Sequence, residues 1–457
     1  MRRPVRTSSR TWRLPRIARN PALLAPGLLA LVLLLALLAT ATARAQDAPG
    51  QPDDADGPVS AEHAAEPHPP IVLGMSAAFS GPSRGLGIEF YRGIMAYLNQ
   101  VNAQGGVHGR RVEIQPLDDG YNPAPCVSNT VELMEEKDIF ALFSYVGTPT
   151  TTRVLPLLKR YQDRHAYLLF PFTGAEVLRT APYDRYVFNL RASYFEETAG
   201  LVDHFCDAGM ERIAVFYQAD AYGRTGWDGV RRALRARGLD ICAEAAYRRG
   251  TTFHHDFTRE VALLRDAKPQ AVICIGTYAA GAAFIRDARN LGLDAPIANV
   301  SFSDADNMVA MLKEYGAATG RNYLENLVYS QVVPSYEDTR LPGVRFYRSL
   351  MAGHQDTMPP ARLLKGEEYT PRRLSLVSLE GFLNAVLLCE MLQRMGPDVR
   401  RERIPEVMEG IQDFDMGIGT PVSFGPWRNQ GLDTVYFTTV RDGRIVPMQD
   451  WGRWAAP

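Results

Sequence analysis

The chain of 457 residues is 46% hydrophobic and 22% charged, a globular composition with enough length for two or three domains. Eight arginines and no acidic residue fall in the first 45 residues, so the remainder carries 42 basic and 51 acidic residues, a formal charge of −9. A nucleic-acid-binding protein would need the opposite sign, so we expect no nucleic-acid partner.

The first 45 residues have the pattern of a secretory signal peptide. The arginine-rich start precedes an apolar stretch from Leu23 to Leu38, and the small-residue sequence Ala43-Arg44-Ala45 follows. This order predicts cleavage after Ala45. A retained membrane anchor is the alternative, because the apolar stretch is near the lower length limit for spanning a bilayer. No cysteine sits at the cleavage point, where Gln46 follows Ala45, and this argues against a lipid anchor.

Residues 46–70 form a different kind of segment. They are acidic, rich in Pro and Ala, and almost free of large apolar side chains. Such a segment cannot bury enough apolar surface to order itself, so we predict a flexible leader.

Regular alternation of strand-like runs and helical patterns begins at residue 71. The strand-like runs lie at 71–75, 112–117, 139–143 and 166–170, and, after a restart near residue 192, at 213–217, 241–247, 271–275, 296–300 and 327–332. Strands that alternate with helices predict parallel, doubly wound sheets. We therefore expect an α/β protein of two βαβ lobes, with ligands bound at the carboxyl ends of the strands in a cleft between them.

Two later segments complete the predicted elements. Residues 374–395 read as one long apolar helix, and TTVRDGRIVPM places Asp442-Gly443 between two strand-like runs. This dipeptide is typical of a two-residue β-hairpin turn.

A glycine-rich stretch, SAAFSGPSRGLG at residues 76–87, follows the first strand-like run, and a helical pattern begins near Glu89. A mononucleotide loop needs Lys-Ser or Lys-Thr after its last glycine, and a dinucleotide loop needs G-x-G-x-x-G. The glycines here are Gly81, Gly85 and Gly87, followed by Ile88, so the stretch is not a nucleotide loop.

Other polar clusters carry weak signals for chemistry. Adjacent side chains in His254-His255-Asp256 point in different directions, and Asp256 suits a helix N-cap, so we expect no metal there. Two acids at a strand end, Asp118-Asp119, are more often bonded to backbone than catalytic. H-E-x-x-H is absent, and we expect neither a hydrolase nor any cofactor. The five scattered cysteines predict no particular disulfide.

Several segments, in order, resemble the periplasmic type I substrate-binding proteins of ABC importers, in the branched-chain amino acid (leucine/isoleucine/valine) group. They are SGP with Gly87, VNAQGGVHGRRVEIQPLDD, GTPTTTRVLPLL, RIAVFYQADAYGRTG, FIRDARNLGL and SLEGFLNA. The resemblance covers residues 71 to about 447.

This resemblance implies a two-lobed fold whose three crossovers form a hinge that closes over the ligand. It places lobe I at 71–191 plus 332–418 and lobe II at 192–331 plus 419–450. It also implies a periplasmic monomer that captures a small solute and delivers it to an ABC permease in the inner membrane.

The resemblance also implies a set of cleft residues. The loop from Ala78 to Gly87 forms part of the wall on lobe I, and the predicted ligand-binding residues are Phe79, Ser80, Ser144, Gly147, Thr148, Phe172, Thr173, Gly174, Tyr222, Tyr278 and Asp304. The tyrosines and phenylalanines could instead pack the lobes. Ser144 and Thr148 could cap the helix that starts near Pro149.

Two departures leave the solute open. Amino-acid binders of this group carry an aromatic residue where this chain has Leu86, and a lobe II glutamate that holds the ligand ammonium. Around that glutamate this chain reads NVSFSDAD, with Phe302 or Ser303 nearest and Asp304 one or two residues on. An uncharged site would disfavour an ammonium. Both a branched-chain amino acid and another small polar or aromatic solute fit the sequence.

A ligand-sensing module of the same fold is the alternative function. It would need a coiled coil, a transmembrane helix or a DNA-binding helix pair after the lobes. The sequence after the hairpin shows none of these patterns, so we favour a binding protein.

Overall fold

The computed structural model of the protein describes residues 68–454. The predicted signal peptide, its cleavage point and most of the predicted leader therefore lie outside the described residues.

The first of two sheets has five parallel strands in the order β2-β1-β3-β4-β5. The strands are β1 (Ile71–Ala77), β2 (Val112–Asp118), β3 (Ala141–Phe143), β4 (Leu168–Leu169) and β5 (Val187–Phe188). Leu73 of β1 lies opposite Ile114 on one side and Ala141 on the other. Six of the seven β1 residues are buried, as expected for a parallel strand covered on both faces.

The second sheet has seven strands in the order β12-β11-β10-β9-β8-β6-β7. The strands are β6 (Ile213–Gln218), β7 (Ala243–Tyr247), β8 (Ala271–Ile275), β9 (Ile297–Asn299), β10 (Leu327–Gln331), β11 (Tyr436–Arg441) and β12 (Arg444–Pro447). Strands β6 to β10 pair in parallel, and β11 and β12 add an antiparallel hairpin at the edge. Asp442 and Gly443 have φ values of 52° and 67°, so the predicted two-residue turn is confirmed.

Eleven α-helices lie within residues 68–454. They are α1 (Arg84–Ala103), α2 (Pro123–Glu135), α3 (Thr148–Arg160), α4 (Tyr194–Asp207), α5 (Ala221–Ala236), α6 (Thr258–Asp266), α7 (Tyr278–Asn290), α8 (Ala305–Thr319), α9 (Pro342–Gly353), α10 (Leu376–Met395) and α11 (Ile404–Glu409). Helices α1 to α3 and α9 to α11 pack with the first sheet as lobe I, and α4 to α8 pack with the second sheet as lobe II.

The chain passes between the lobes three times. It leaves lobe I after β5, returns after β10 to build α9 to α11, and re-enters lobe II at β11. Two doubly wound α/β lobes confirm the predicted fold class. The predicted residue boundaries of the lobes stay predictions.

The predicted loop after β1 is shorter than expected. Helix α1 begins at Arg84 instead of near Glu89, so Gly85 and Gly87 lie inside it. A Cβ added to Gly87 would lie 2.1 Å from the Ala78 carbonyl oxygen, so glycine lets the helix begin against the end of β1. This tertiary contact overrides the weak helix propensity of glycine, and the prediction of a longer loop was wrong.

Helices α1 and α10 meet at an unusually small distance in the centre of lobe I. A Cβ added to Gly93 would lie 1.8 Å from the Ser378 carbonyl oxygen, and one added to Gly381 would lie 2.2 Å from that of Phe90. Helix α10 is long and apolar enough to cross a membrane, but 83% of its apolar window is buried within the protein. It is therefore a core helix whose backbone packs directly on α1.

Polar contacts join the lobes at the start of α8. The Leu376 amide at the start of α10 donates to Asp306 at 2.8 Å, and the Asn307 amide group donates to the Tyr369 hydroxyl at 3.0 Å. The neighbouring Asp304 is fully buried and accepts from the Asn307 backbone and side chain. Burial raises the pKa of Asp304 to about 7, because these hydrogen bonds offset only part of the desolvation.

The close contact between α1 and α10 predicts the effect of adding one methyl group. Gly93→Ala should lower the free energy of unfolding by about 1–3 kcal/mol, because the helices must separate to admit it. Urea unfolding followed by circular dichroism measures the change. Gly353→Ala at the end of α9 is the control, since nothing lies within 4 Å of its added Cβ. Equal stability of the two variants would contradict the packing.

The raised pKa of Asp304 predicts a pH-dependent stability. The native carboxyl binds its proton more tightly than the unfolded one, so stability falls as pH rises from about 4 to about 7. Asp304→Asn removes this loss, and its stability relative to the wild type should rise across that range by up to about 1.4 kcal/mol per pH unit.

Urea unfolding at several pH values measures this slope. The control is Asp240→Asn, because Asp240 has a pKa below its usual value, owing first to a backbone hydrogen bond from Ile241. The difference in free energy of unfolding between Asp240→Asn and the wild type should stay constant above pH 5. If the corresponding difference for Asp304→Asn is also constant across the pH range, the predicted ionisation of Asp304 is ruled out.

Candidate functional site

The eleven predicted ligand-binding residues are all buried where the two lobes meet. Those of lobe I follow β1, β3 and β4, and those of lobe II follow β6, β8 and β9. In parallel sheets these are the carboxyl ends of the strands, where the polypeptide turns and can offer side chains to a ligand.

Three hydroxyl groups form the polar part of this region. The Thr148 and Thr173 hydroxyl oxygens lie 2.7 Å apart, and Thr148 lies 3.3 Å from the hydroxyl of Tyr194. Three hydroxyl hydrogens serve these two mutual bonds, which leaves one hydrogen to donate to a ligand acceptor. Burial raises the pKa of Tyr194, so its phenol stays neutral.

Helix α3 begins beside these hydroxyls. Its N-cap is Gly147, with φ at 104°, and no side chain caps it, so neither Ser144 nor Thr148 is the cap that the sequence allowed. The ring of Tyr121 packs so closely on Gly147 that an added Cβ would lie 2.3 Å from it. Glycine is therefore needed here both for the backbone conformation and for the ring above it.

Aromatic rings from both lobes pack next to the hydroxyls. Phe302 of lobe II lies 5.0 Å from Phe172, 5.9 Å from Tyr121 and 4.9 Å from Tyr222 between ring centroids. Tyr222 in turn lies 5.3 Å from Tyr194. We call these five residues the aromatic cluster. It forms an apolar, well-packed wall between the lobes.

Some of the predicted residues face other partners. Ser80 donates to Asp118 at 2.6 Å, and Phe79 packs edge-on against Tyr91 inside lobe I, as in the core alternative. The hydroxyl of Ser144 accepts from Asn384 of α10 at 3.1 Å. The Tyr278 hydroxyl instead reaches across the lobes and accepts from the Gly85 amide at 3.1 Å.

Asp304 does not lie against the aromatic cluster. It is the N-cap of α8 with φ at 64°, and both of its oxygens accept hydrogen bonds from Asn307. Phe302, two residues earlier, is the side chain that faces the cluster.

Three residues of this region were not predicted from the sequence. Tyr194 and Tyr121 complete the cluster, and Gln218 donates to the Tyr121 hydroxyl at 3.4 Å across the lobes. A signal existed for Tyr121, because it follows the carboxyl end of β2 directly after Asp-Asp-Gly. Tyr194 gave no local signal, since it starts a helix and reaches the site only through the chain's passage between lobes.

Carboxylates near the cluster are already paired. Glu197 accepts from Arg191 at 3.2 Å and from the Ser301 amide at 2.7 Å, and Glu380 lies 3.4 Å from Arg191. The guanidinium of Arg191 stacks 5.1 Å from the Phe172 ring. Glu197 and Glu380 therefore share one guanidinium beside the cluster.

A cavity of about 680 Å³ opens where the lobes meet. Lobe I lines it with the turn at Gly81, with Arg84 and with residues 367–370 and 372, and lobe II lines it with Tyr278, Asn307 and residues 252–254. Tyr278 is the only predicted ligand-binding residue in this lining. The volume of this cavity is that of a small-molecule site.

Known proteins share this architecture. The profile of the periplasmic binding protein family matches residues 70–444. A crystal structure of a possible leucine/isoleucine/valine-binding protein from Rhodopirellula baltica is 30% identical, with a TM-score of 0.73 over 84% of this chain and 98% of that one. A branched-chain amino acid ABC transporter structure from Thermus thermophilus with bound valine shares the fold at 18% identity, with a TM-score of 0.71 over 83% of this chain and 95% of that one.

Curated sequences give a more distant match. An amino acid binding protein from Pseudomonas aeruginosa is 22% identical over 229 residues, which are 49% of this chain. The match spans 59% of that relative, so it does not reach two thirds of its length.

The suspected resemblance is thus confirmed by the family profile and by the two-lobed structure. The family comprises solute-binding proteins, not enzymes, and membership implies a periplasmic location. The chain belongs to the periplasmic binding protein family and has its type I fold.

Proposed function

We propose that the protein captures a small solute, an amino acid or a related compound, between its two lobes and delivers it to an ABC permease. The observation that supports this proposal is that side chains of both lobes contact one another in the cleft. Thr148 of lobe I bonds to Thr173 of the same lobe and to Tyr194 of lobe II, while Phe302 of lobe II packs on Phe172 of lobe I.

This arrangement supports binding by hinge closure. A solute held by the hydroxyls and the aromatic cluster touches both lobes only when they are together, so its binding free energy favours the closed arrangement. The contacts between Gly85 and Tyr278 and between Gln218 and Tyr121 also join the two lobes. A permease that recognises the closed surface would thereby distinguish the loaded protein.

The ligand-binding roles of the predicted residues belong to this proposal. Thr148 and Thr173 offer a hydrogen to a carboxylate or carbonyl, the cluster holds the apolar body, and Tyr278 joins the lobes at the edge. Phe79, Ser80, Ser144 and Asp304 act through backbone and side-chain contacts that hold these elements in place.

A thermal-shift screen of residues 46–457 tests solute capture. The panel should contain amino acids, their deaminated analogues, short amides, aromatic acids, polyamines and sugars. A solute at 100 times its dissociation constant adds about 2.7 kcal/mol, which raises the melting temperature by a few degrees. No shift with any of these classes would count against solute binding.

Tyr222→Ala should weaken binding of the solute identified in this way by roughly tenfold to a hundredfold, because it removes the ring that faces Phe302. Tyr222→Phe is the matched control, since the hydroxyl makes only a 3.5 Å contact with the Gly276 carbonyl. Calorimetry measures both affinities, and circular dichroism verifies folding. Unchanged affinity of a folded Tyr222→Ala protein would remove the cluster from the site.

A further inference from the structure

The cavity at the meeting of the lobes contains an arginine with unused hydrogen-bonding capacity. Arg372 is half-buried and lines the cavity, and its Nε donates to Asn307 at 2.9 Å. Its two terminal amino groups have no hydrogen-bond or ion-pair partner among residues 68–454. They are the strongest donors for an anion in the lining.

The backbone of Arg372 is held in place on both sides. The backbone amide of Arg372 donates to Glu89 at 2.8 Å, and its carbonyl accepts from Arg92 at 2.6 Å. Glu89 and Arg92 form a fully buried ion pair at 2.8 Å. Because Arg92 already neutralises Glu89, Arg372 is not needed as its counter-ion. The bond from its Nε to Asn307 orients the guanidinium itself.

The other charged groups of the cavity are paired or exposed. Arg84 lies 3.3 Å from Glu367, and Glu367 also accepts from the Gly81 amide at 3.0 Å. Glu368 and His254 are exposed at the rim, where solvent and salt screen their charges. Arg372 is therefore the cation of the lining without an ion-pair partner among residues 68–454, and its charge also opposes the rise that burial causes in the pKa of Asp306.

Apolar surface lies beside Arg372. The lining includes the rings of Tyr369, Tyr278 and Phe253 and the side chain of Met311. Tyr369 donates to Glu89 at 3.0 Å, which holds its ring in place. A rigid cation next to aromatic faces fits a molecule with an anionic end and a flat or branched apolar body.

We infer that this cavity binds the carboxylate of an aryl- or alkyl-substituted acid through Arg372, with the apolar body against Tyr278 and Tyr369. The inference rests on the proposed function, because it names the solute class of the same interlobe site.

Matched pairs of probes test the inference. Residues 46–457 are titrated by calorimetry with 3-phenylpropanoate and 4-methylpentanoate, and with the primary amide of each. The wild type should bind at least one acid tighter than its amide by roughly tenfold to a hundredfold, the worth of a hydrogen bond to a charged group. Arg372→Gln should bring that ratio close to one.

Two controls separate the charge from the shape of the protein. Arg373→Gln removes an exposed neighbouring arginine that does not line the cavity, and it should leave the ratio unchanged. Loss of the Arg372–Asn307 contact between the lobes would weaken acid and amide equally, whereas loss of a charge contact weakens the acid alone. Arg372→Lys keeps the charge and should retain part of the preference.

Three results would overturn the inference: no probe binds, the acids bind no tighter than the amides, or Arg372→Gln leaves the ratio unchanged. These remain distinct from failure of the proposed function. A neutral or cationic solute that shifts the melting temperature and depends on Tyr222 would reject the acid and keep solute capture. Absence of any shift across the whole screen would reject both.

Discussion

A buried arginine at the first passage between the lobes holds the rest of the site together. Arg191 is 1% exposed and is paired with Glu197 of α4 and Glu380 of α10. It also contacts the Ser301 hydroxyl ahead of α8. Removing one member of such a buried set typically costs about 3–5 kcal/mol, because the remaining charge loses its partner. The side chain of Arg191 thus contacts elements of both lobes.

Side chains that form the walls of the cleft pack against Arg191. The guanidinium of Arg191 lies 5.1 Å from the Phe172 ring and 5.8 Å from the Tyr194 ring. The amide of Tyr194 donates to the Gly174 carbonyl at 2.8 Å, which brings its hydroxyl to Thr148. The ion pairs at the hinge therefore fix the aromatic and hydroxyl groups that a solute would meet.

The sequence predicted the fold and the general position of the site for physical reasons. Buried parallel strands such as Ala271–Ile275 leave continuous apolar runs, and strand ends in a doubly wound sheet converge on one edge. The start of α1 at Arg84 and the glycine cap of α3 could not be predicted in the same way. Both depend on contacts with distant segments, Ala78 against Gly87 and Tyr121 against Gly147.

The contacts within the aromatic cluster were even harder to predict from the sequence. Phe302 could be placed near the cleft, but not its contacts with Phe172 and Tyr222, because these cross the lobes. Asp304 was a reasonable candidate by residue type alone. Its backbone conformation and its two bonds to Asn307 turn it into a helix cap, which no local pattern distinguishes from a ligand-binding acid.

Phe302 bears most directly on the choice of solute. A buried ammonium beside this ring would gain a cation–π contact of about 0.5–2 kcal/mol, while its desolvation costs several kcal/mol. The Phe302 ring alone therefore does not compensate the burial of a cation. An apolar group meets no such penalty and extends the packing between Phe302 and Phe172. On this side of the cleft the ring favours the apolar part of a molecule over a charged part.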